Sequence, residues 1–118
     1  AKNQDFVKAY LAKHTEYPSA WAAQGYDGVY FLAEAVKKAG STNADKVIGA
    51  LEGLTIDAPR GKATLRKEDH QLYADYMVGE TGFVKDYPIP ILLNTEIFPA
   101  DKVIYSLAEW KKAQESNK

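Results

Sequence analysis

The side chains best suited to chemistry form one short run, Glu68, Asp69 and His70. Carboxylates and an imidazole can ligate a metal ion or transfer a proton. Consecutive residues do not easily converge on one ion, however, and no HxxxH or HExxH spacing surrounds this histidine or His14. We therefore predict no metal site, and an enzyme that uses these three residues is an alternative without a recognised catalytic arrangement.

The sequence also contains no motif typical of a catalytic nucleophile or of a phosphate-binding loop. Ser19, Ser41 and Thr42 stand outside any GxSxG sequence, and positions at helix starts explain them. Because neither GxGxxG nor GxxxxGK[ST] occurs, Gly25 and Gly28 are interpreted as packing glycines. The chain contains no cysteine, which excludes thiolate sites. We predict a protein that is not an enzyme and uses no cofactor.

The overall charge argues against a polyanionic partner. Fifteen basic and sixteen acidic residues leave a net charge of −1, so no strong field attracts nucleic acid or an anionic membrane. Tyr73, Tyr76 and Tyr87 could stack on bases, but this mode requires interleaved basic residues, and Glu68, Asp69, Asp75 and Glu80 lie among them instead.

The length of 118 residues predicts one folding unit with a sizeable core. No apolar run approaches the ~20 residues that a membrane-spanning helix needs. The first residue is Ala1 rather than Met, and an amphipathic helix follows within a few residues. We therefore expect the chain to be part of a longer protein.

Helical spacing of apolar residues marks the first half. It predicts a helix over residues 4–14, a second that begins near Ser19 and ends at Gly40, and a third over residues 44–52. In the second helix, we expect a buried stripe that consists of Ala22, Gly25, Tyr26, Val29, Ala33 and Val36.

The second half alternates β-branched and aromatic residues with glycine and proline, which predicts short strands at residues 62–65, 72–80, 83–85 and 92–98. Residues 80–82 are interpreted as a turn, and a single helix is expected from Asp101 onwards. Three N-terminal helices, short strands and a C-terminal helix give an α+β fold for the isolated chain.

The motifs PSAWAAQGYD, AGSTNADKV and RKEDHQ occur in this order. Together they resemble the C-terminal part of the periplasmic leucine/isoleucine/valine-type binding proteins, the receptors of branched-chain amino acid ABC transporters. The resemblance extends over residues 5–98, and the final helix departs from it. It implies a type I periplasmic binding fold of two α/β lobes in the full-length protein, joined by three crossings, which close on a ligand.

The resemblance also implies a division of this chain. Residues 1–71 would form the helical part of the first lobe, residues 72–100 a crossing and strands of the second lobe, and residues 101–118 the C-terminal helix. The hinge would consist of Leu72, Tyr73, Ala74, Asp75 and Tyr76.

Trp21 is the main candidate for ligand contact. It lies near the start of the second helix, where free N–H groups and the helix dipole favour an anionic group. The resemblance implies a ligand-touching aromatic five residues before the tyrosine of the GYD motif, and Trp21 precedes Tyr26 by five. Tyr17 and Ser19 are further candidates. The alternative is that Trp21 packs against the loop at residues 16–18.

The resulting hypothesis is a fragment of an extracytoplasmic receptor that captures a small amino acid or carboxylate and presents it to the membrane permease of an ABC transporter. Its location would be periplasmic or extracellular, with a lipid anchor in a Gram-positive source. The alternative is a stand-alone module that self-associates, with possible homodimers, through faces that carry Val29, Val36, Val47 and Leu51 and lack their natural cover.

Overall fold

The structure is a computed structural model that describes residues 2–116. Within them, helices and strands follow one another in a mixed order. The helices are α1 (Lys2–Leu11), α2 (Ala20–Ala39), α3 (Ala44–Leu51), α4 (Ala100–Val103) and α5 (Leu107–Ser116). The strands are β1 (Thr55–Ala58), β2 (Gly61–Leu65), β3 (Leu72–Ala74), β4 (Tyr76–Gly82) and β5 (Ile91–Phe98). The predicted α+β class is confirmed.

The chain divides into two compact units, Ala1–Leu72 and Tyr73–Lys118. The expectation of a single folding unit is therefore wrong. The physical reason lies in the pairing of the strands. β1 pairs with β2 inside the first unit and β4 pairs with β5 inside the second, while the boundary falls within β3.

Helix α2 begins and ends where the sequence predicts. The Ser19 hydroxyl accepts a hydrogen bond from the backbone N–H of Ala22 at 3.2 Å, which satisfies one of the free donors of the first turn. At the other end, Gly40 adopts a left-handed conformation with φ 58° and donates its N–H to the carbonyl of Lys37. Helix α3 is capped in the same way by Asn43, whose side chain accepts from the N–H of Lys46.

The core of the first unit lies between α2 and α3, where Ala35, Val47 and Ala50 are buried. Four partly buried residues pack against this cluster: Val36, Ala39, Leu51 and Leu54. Val36, Val47 and Leu51 are thus covered by the unit itself, contrary to the expectation that their faces lack a cover.

Helix α2 buries a different side from the one predicted. Its buried residues are Asp27, Phe31 and Ala35, whereas Val29 is exposed. Within the predicted stripe, Ala22, Tyr26 and Val36 are partly buried, whereas its other three residues are exposed. On the side of α1, the ring of Phe6 lies 4.8 Å from that of Tyr26.

Strand β1 is missing from the sequence-based prediction. It pairs antiparallel with β2 from Thr55 opposite Thr64 to Ala58 opposite Gly61. Its sequence, TIDA, is only four residues long and ends in Asp57 and Ala58, which are residue types depleted in strands, so local propensity does not reveal it. Pairing with β2 stabilises it, and the hydroxyls of Thr55 and Thr64 share a hydrogen bond of 2.7 Å across the strands.

The second unit contains the β4–β5 pair, with Tyr76 opposite Phe98 and Gly82 opposite Ile91. The predicted turn at residues 80–82 is wrong, because these residues continue β4. A Cβ atom on Gly82 would lie 2.7 Å from the side chain of Leu93, so this glycine allows a close approach rather than a turn. Residues 83–85 do not form the predicted strand.

The predicted C-terminal helix is also wrong as a single element. Ile104 takes an extended conformation and ends α4, after which α5 starts anew. Ser106 and Glu109 form a capping box: the Ser106 hydroxyl accepts from the Glu109 N–H, and the Glu109 carboxylate accepts from the Ser106 N–H at 2.8 Å. The last two residues of the predicted helix, Asn117 and Lys118, lie outside the described residues.

Candidate functional site

Trp21 lies in the first turn of α2 and is 78% exposed. The alternative that it packs against the preceding loop does not agree with this exposure. A large apolar ring that meets solvent at a helix start is available for contact with a ligand or another surface. The first turn of α2 contains no acidic residue, so no carboxylate there offsets the positive end of the helix dipole.

The other two candidates lie directly before Trp21. Ser19 is exposed and is the N-cap of α2, so its hydroxyl has a structural role. Tyr17 is half-buried. The structure thus places all three candidates in one segment at the N-terminal end of α2, and their role in ligand binding stays a prediction.

Asp27 is a buried charged residue that the sequence-based prediction did not single out. It is only 3% exposed, and its Oδ2 lies 3.3 Å from Nε of Arg60 in the β1–β2 turn. Its other oxygen, Oδ1, has no hydrogen-bond partner within residues 2–116. One signal was available: Asp27 is the only charged residue between Glu16 and Glu34. Its partner was not, because Arg60 is distant in sequence.

Burial raises the pKa of the Asp27 carboxyl above its ordinary value, and the Arg60 guanidinium offsets only part of this effect. The folded chain therefore binds this proton more tightly than the unfolded chain does. The resulting stabilisation is present at acid pH and is lost as the pH rises through the raised pKa. At neutral pH the ionised carboxylate lowers the stability of the fold relative to a neutral group of the same shape.

We expect the stability of Asp27→Asn relative to the parent to rise between about pH 4 and pH 7, because only the parent acquires a buried charge over this range. The gain should vanish as the pH falls below about 4, where the carboxyl of the parent is protonated in both states. Urea unfolding at several pH values measures this difference. Asp57→Asn is the matched control: Lys62 and Lys2 lower the pKa of the exposed Asp57, so no gain is expected there. A stability difference between Asp27→Asn and the parent that is independent of pH would contradict this account.

The run Glu68, Asp69 and His70 belongs to the turn between β2 and β3. The side chain of Asp69 is only 5% exposed, and both its oxygens face the guanidinium of Arg66, with Nε of Arg66 2.9 Å from Oδ1. This pairing holds the pKa of the Asp69 carboxyl below its usual range. Nε2 of His70 lies 3.4 Å from the carboxylate of Glu52. These contacts give Asp69 and His70 structural roles.

The predicted hinge residues lie at the boundary of the two units. Leu72 ends the first unit, and Tyr73 begins the second. Asp75 lies between β3 and β4, and its Oδ1 accepts a hydrogen bond of 2.9 Å from the N–H of Ala100 at the start of α4. A hinge motion at these residues stays a prediction.

Among residues 2–116, no group of three or more His, Cys, Asp or Glu side chains is placed to hold a metal ion. The same part of the chain contains no helix with the length and hydropathy to cross a membrane.

A family model described as a periplasmic binding protein matches residues 1–86. The chain belongs to the periplasmic binding protein family. The match covers α1 to β4, so it includes Trp21, Asp27 and the β2–β3 turn. The strand β5 and the last two helices follow the matched region. Among curated protein sequences, none matches this chain.

Solved structures of similar fold come from Rhodopseudomonas palustris. An ABC-type branched-chain amino acid transporter from strain CGA009 shares 27% identity and has a TM-score of 0.74 over 86% of this chain. A solute-binding protein of an ABC transporter from strain BisB5, in complex with 3,4-dihydroxybenzoic acid, shares 29% identity, with a TM-score of 0.72 over 85% of this chain. Another ABC transporter protein shares 36% identity over 61% of the chain, with a TM-score of 0.57.

These neighbours are two-lobed periplasmic binding proteins. The chain spans 27%, 27% and 22% of their respective lengths. It therefore corresponds to about a quarter of such a receptor.

Proposed function

We propose that this chain is part of an extracytoplasmic solute-binding receptor, of the leucine/isoleucine/valine type, that captures a small amino acid or carboxylate for an ABC transporter. The observation that carries the proposal is the exposed ring of Trp21 at the N-terminal end of α2, in a chain of the periplasmic binding protein family. The chain acts by binding and not by catalysis.

A carboxylate is the chemical feature that we expect every ligand to share. The start of α2 combines a positive dipole end with an aromatic ring, which suits a small anion that carries an apolar group. The names of two neighbours support this class, since one is a branched-chain amino acid transporter and the other holds 3,4-dihydroxybenzoic acid. Tyr17 and Ser19 would line the same end of the helix.

Closure of the two lobes is the proposed mechanism. Residues 1–71 would belong to the first lobe, residues 72–100 would cross into the second, and residues 101–118 would add the C-terminal helices. Leu72 to Tyr76 would absorb the change in backbone angles between open and closed arrangements. A ligand that contacts both lobes shifts this equilibrium by its difference in affinity for the two arrangements.

The closed receptor would then present its ligand to a membrane permease on the outer side of the membrane. The location would be the periplasm, or the cell surface with a lipid anchor in a Gram-positive source. Both follow from membership of the periplasmic binding protein family and are part of the proposal.

Calorimetric titration of the intact receptor with leucine, isoleucine, valine, 4-hydroxybenzoate and 3,4-dihydroxybenzoate tests this proposal. We expect at least one of them to bind with a dissociation constant below about 100 μM. The amide of the best ligand is the control, and its affinity should be at least about tenfold lower, because it lacks the anion that the helix end favours. Equal affinity for the amide, or no binding of any carboxylate, would contradict the proposed ligand class.

A further inference from the structure

One side chain connects the predicted hinge to helix α4. Asp75 lies between β3 and β4, and its Oδ1 accepts a hydrogen bond of 2.9 Å from the backbone N–H of Ala100, the first residue of α4. The two residues are 25 positions apart in the sequence, and both belong to the second unit. The contact therefore joins a predicted hinge residue to an element that follows the region matched by the family model.

The acceptor at the start of α4 comes from outside the helix. The N-cap residue is Pro99, for which the described part of the chain shows no side-chain capping hydrogen bond. The first N–H groups of a helix have no partner within the helix and need an acceptor elsewhere. The carboxylate of Asp75 supplies one for Ala100, and a charged acceptor makes a stronger hydrogen bond than a neutral one.

Strand pairing explains why Asp75 is in position to do this. Tyr76 lies opposite Phe98 at this end of the β4–β5 pair. Continuation of the antiparallel register would place Asp75 opposite Pro99, but proline has no N–H to donate. The side chain of Asp75 instead accepts from the next N–H along the chain, that of Ala100. The hydrogen bond thus extends the connection between the two chain segments beyond the last pair of the strands.

The surroundings of this hydrogen bond are packed. Ala74, Ala100 and Ile104 are all buried. Ile104 also donates its N–H to the carbonyl of Ala100 at 2.9 Å, so the residue that Asp75 binds is held from both sides. A rotation of the backbone at Asp75 would move its carboxylate away from Ala100 unless α4 moved as well, because packed elements do not deform continuously.

We propose that Asp75 is a positioning residue that couples the hinge segment at residues 74–76 to helix α4, so that the two change conformation together. The inference goes beyond the proposed function, because it assigns a role to a helix outside the family match. Only its ligand-dependent part rests on the proposed closure of the lobes. Coupling of this kind is reciprocal, so a disturbance at either end must appear at the other.

Hydrogen–deuterium exchange of the intact receptor, read by mass spectrometry of peptides that cover residues 72–78 and 96–105, tests the coupling. Asp75→Ala removes the acceptor and should raise the exchange rate of residues 100–104 at least about fivefold, as expected for a lost capping hydrogen bond. Asp75→Asn keeps an acceptor oxygen and should stay within about twofold of the parent. The control is Asp86→Ala in the loop between β4 and β5, an exposed aspartate of the same unit, which should change neither peptide.

The reverse direction separates coupling from simple capping. Ala100→Pro removes the donor at the first helical position, where proline is compatible with a helix, and should raise the exchange rate of residues 74–78 at least about fivefold. Ile104→Ala loosens α4 through a buried side chain and should act in the same direction, whether or not the proline variant folds. A residue that only caps α4 would leave the exchange of residues 74–78 unchanged in both variants.

Ligand binding supplies the part of the test that rests on the proposed function. The probe is saturating valine or 3,4-dihydroxybenzoate, whichever binds in calorimetric titration. It should slow the exchange of residues 100–104 at least about threefold in the parent and leave it unchanged in Asp75→Ala. Absence of binding would count against the proposed function alone, and the measurements without ligand would still decide the inference.

Three results would overturn the proposal. The first is parent-like exchange of residues 100–104 in Asp75→Ala. The second is parent-like exchange of residues 74–78 in every variant of Ala100→Pro and Ile104→Ala that folds. The third is a ligand that binds the receptor and leaves the exchange of residues 100–104 in the parent unchanged.

Discussion

Replacement of Phe31 with alanine is expected to remove about 3–5 kcal/mol from the free energy of unfolding of the first unit. Phe31 is 7% exposed and lies on the buried side of α2, next to Asp27 and Ala35 in the helical repeat. Its loss leaves a cavity that the surrounding residues fill only in part. Since domains of this size are stable by about 5–15 kcal/mol, the variant should lose a large share of its stability and unfold at a markedly lower denaturant concentration than the parent. Denaturant unfolding followed by circular dichroism measures the effect.

Leu32→Ala is the matched control for Phe31→Ala. Leu32 is the next residue of the same helix and a large apolar side chain, but it is exposed. We expect its substitution to change stability by less than about 1 kcal/mol. Similar losses for the two variants would show that α2 buries a different side from the one described.

Replacement of Trp21 with alanine in the intact receptor is expected to lower ligand affinity by about 10- to 100-fold, as loss of a stacked or edge-on aromatic contact does. The melting temperature of the unliganded protein should stay within about 2 °C of the parent, because an exposed ring contributes little to the fold. Calorimetric titration and thermal unfolding of the same preparation measure both quantities.

Two variants sharpen the Trp21 experiment. Trp21→Phe keeps an aromatic face and should retain most of the affinity. Phe83→Ala removes a ring of the second unit that is 77% exposed, nearly the same as Trp21, and should leave the affinity unchanged. Parent-like affinity of Trp21→Ala would remove this residue from the proposed site.

Helices whose ends carry capping residues could be predicted from the sequence. Ser19 and Gly40 bound α2, and Asn43 begins α3, because caps depend on local backbone conformation. These capping rules depend on the local sequence and not on the tertiary structure.

Elements that depend on distant partners could not be predicted in this way. β1 is extended because it pairs with β2. Gly82 leaves room for the side chain of Leu93 and does not form a turn. The break at Ile104 could have been recognised, because Ser106 and Glu109 have the spacing of a capping box.

The sequence identified individual candidate residues of the site, but not their exposure or their contacts. The spacing between Trp21 and Tyr26 identified the aromatic candidate through the family resemblance, whereas its exposure follows from which side of α2 the unit buries. The pairing of Asp27 with Arg60 depends on how the β1–β2 turn meets α2. No local pattern encodes this long-range contact.

A crystal structure of the intact receptor with its tightest carboxylate ligand tests the central claim most directly. The account predicts that the ring of Trp21 contacts the ligand at about 4 Å, with the ligand's carboxylate directed towards the start of α2. A ligand held elsewhere, with Trp21 still in solvent or packed against protein alone, would contradict the claim that this end of α2 forms part of the binding site.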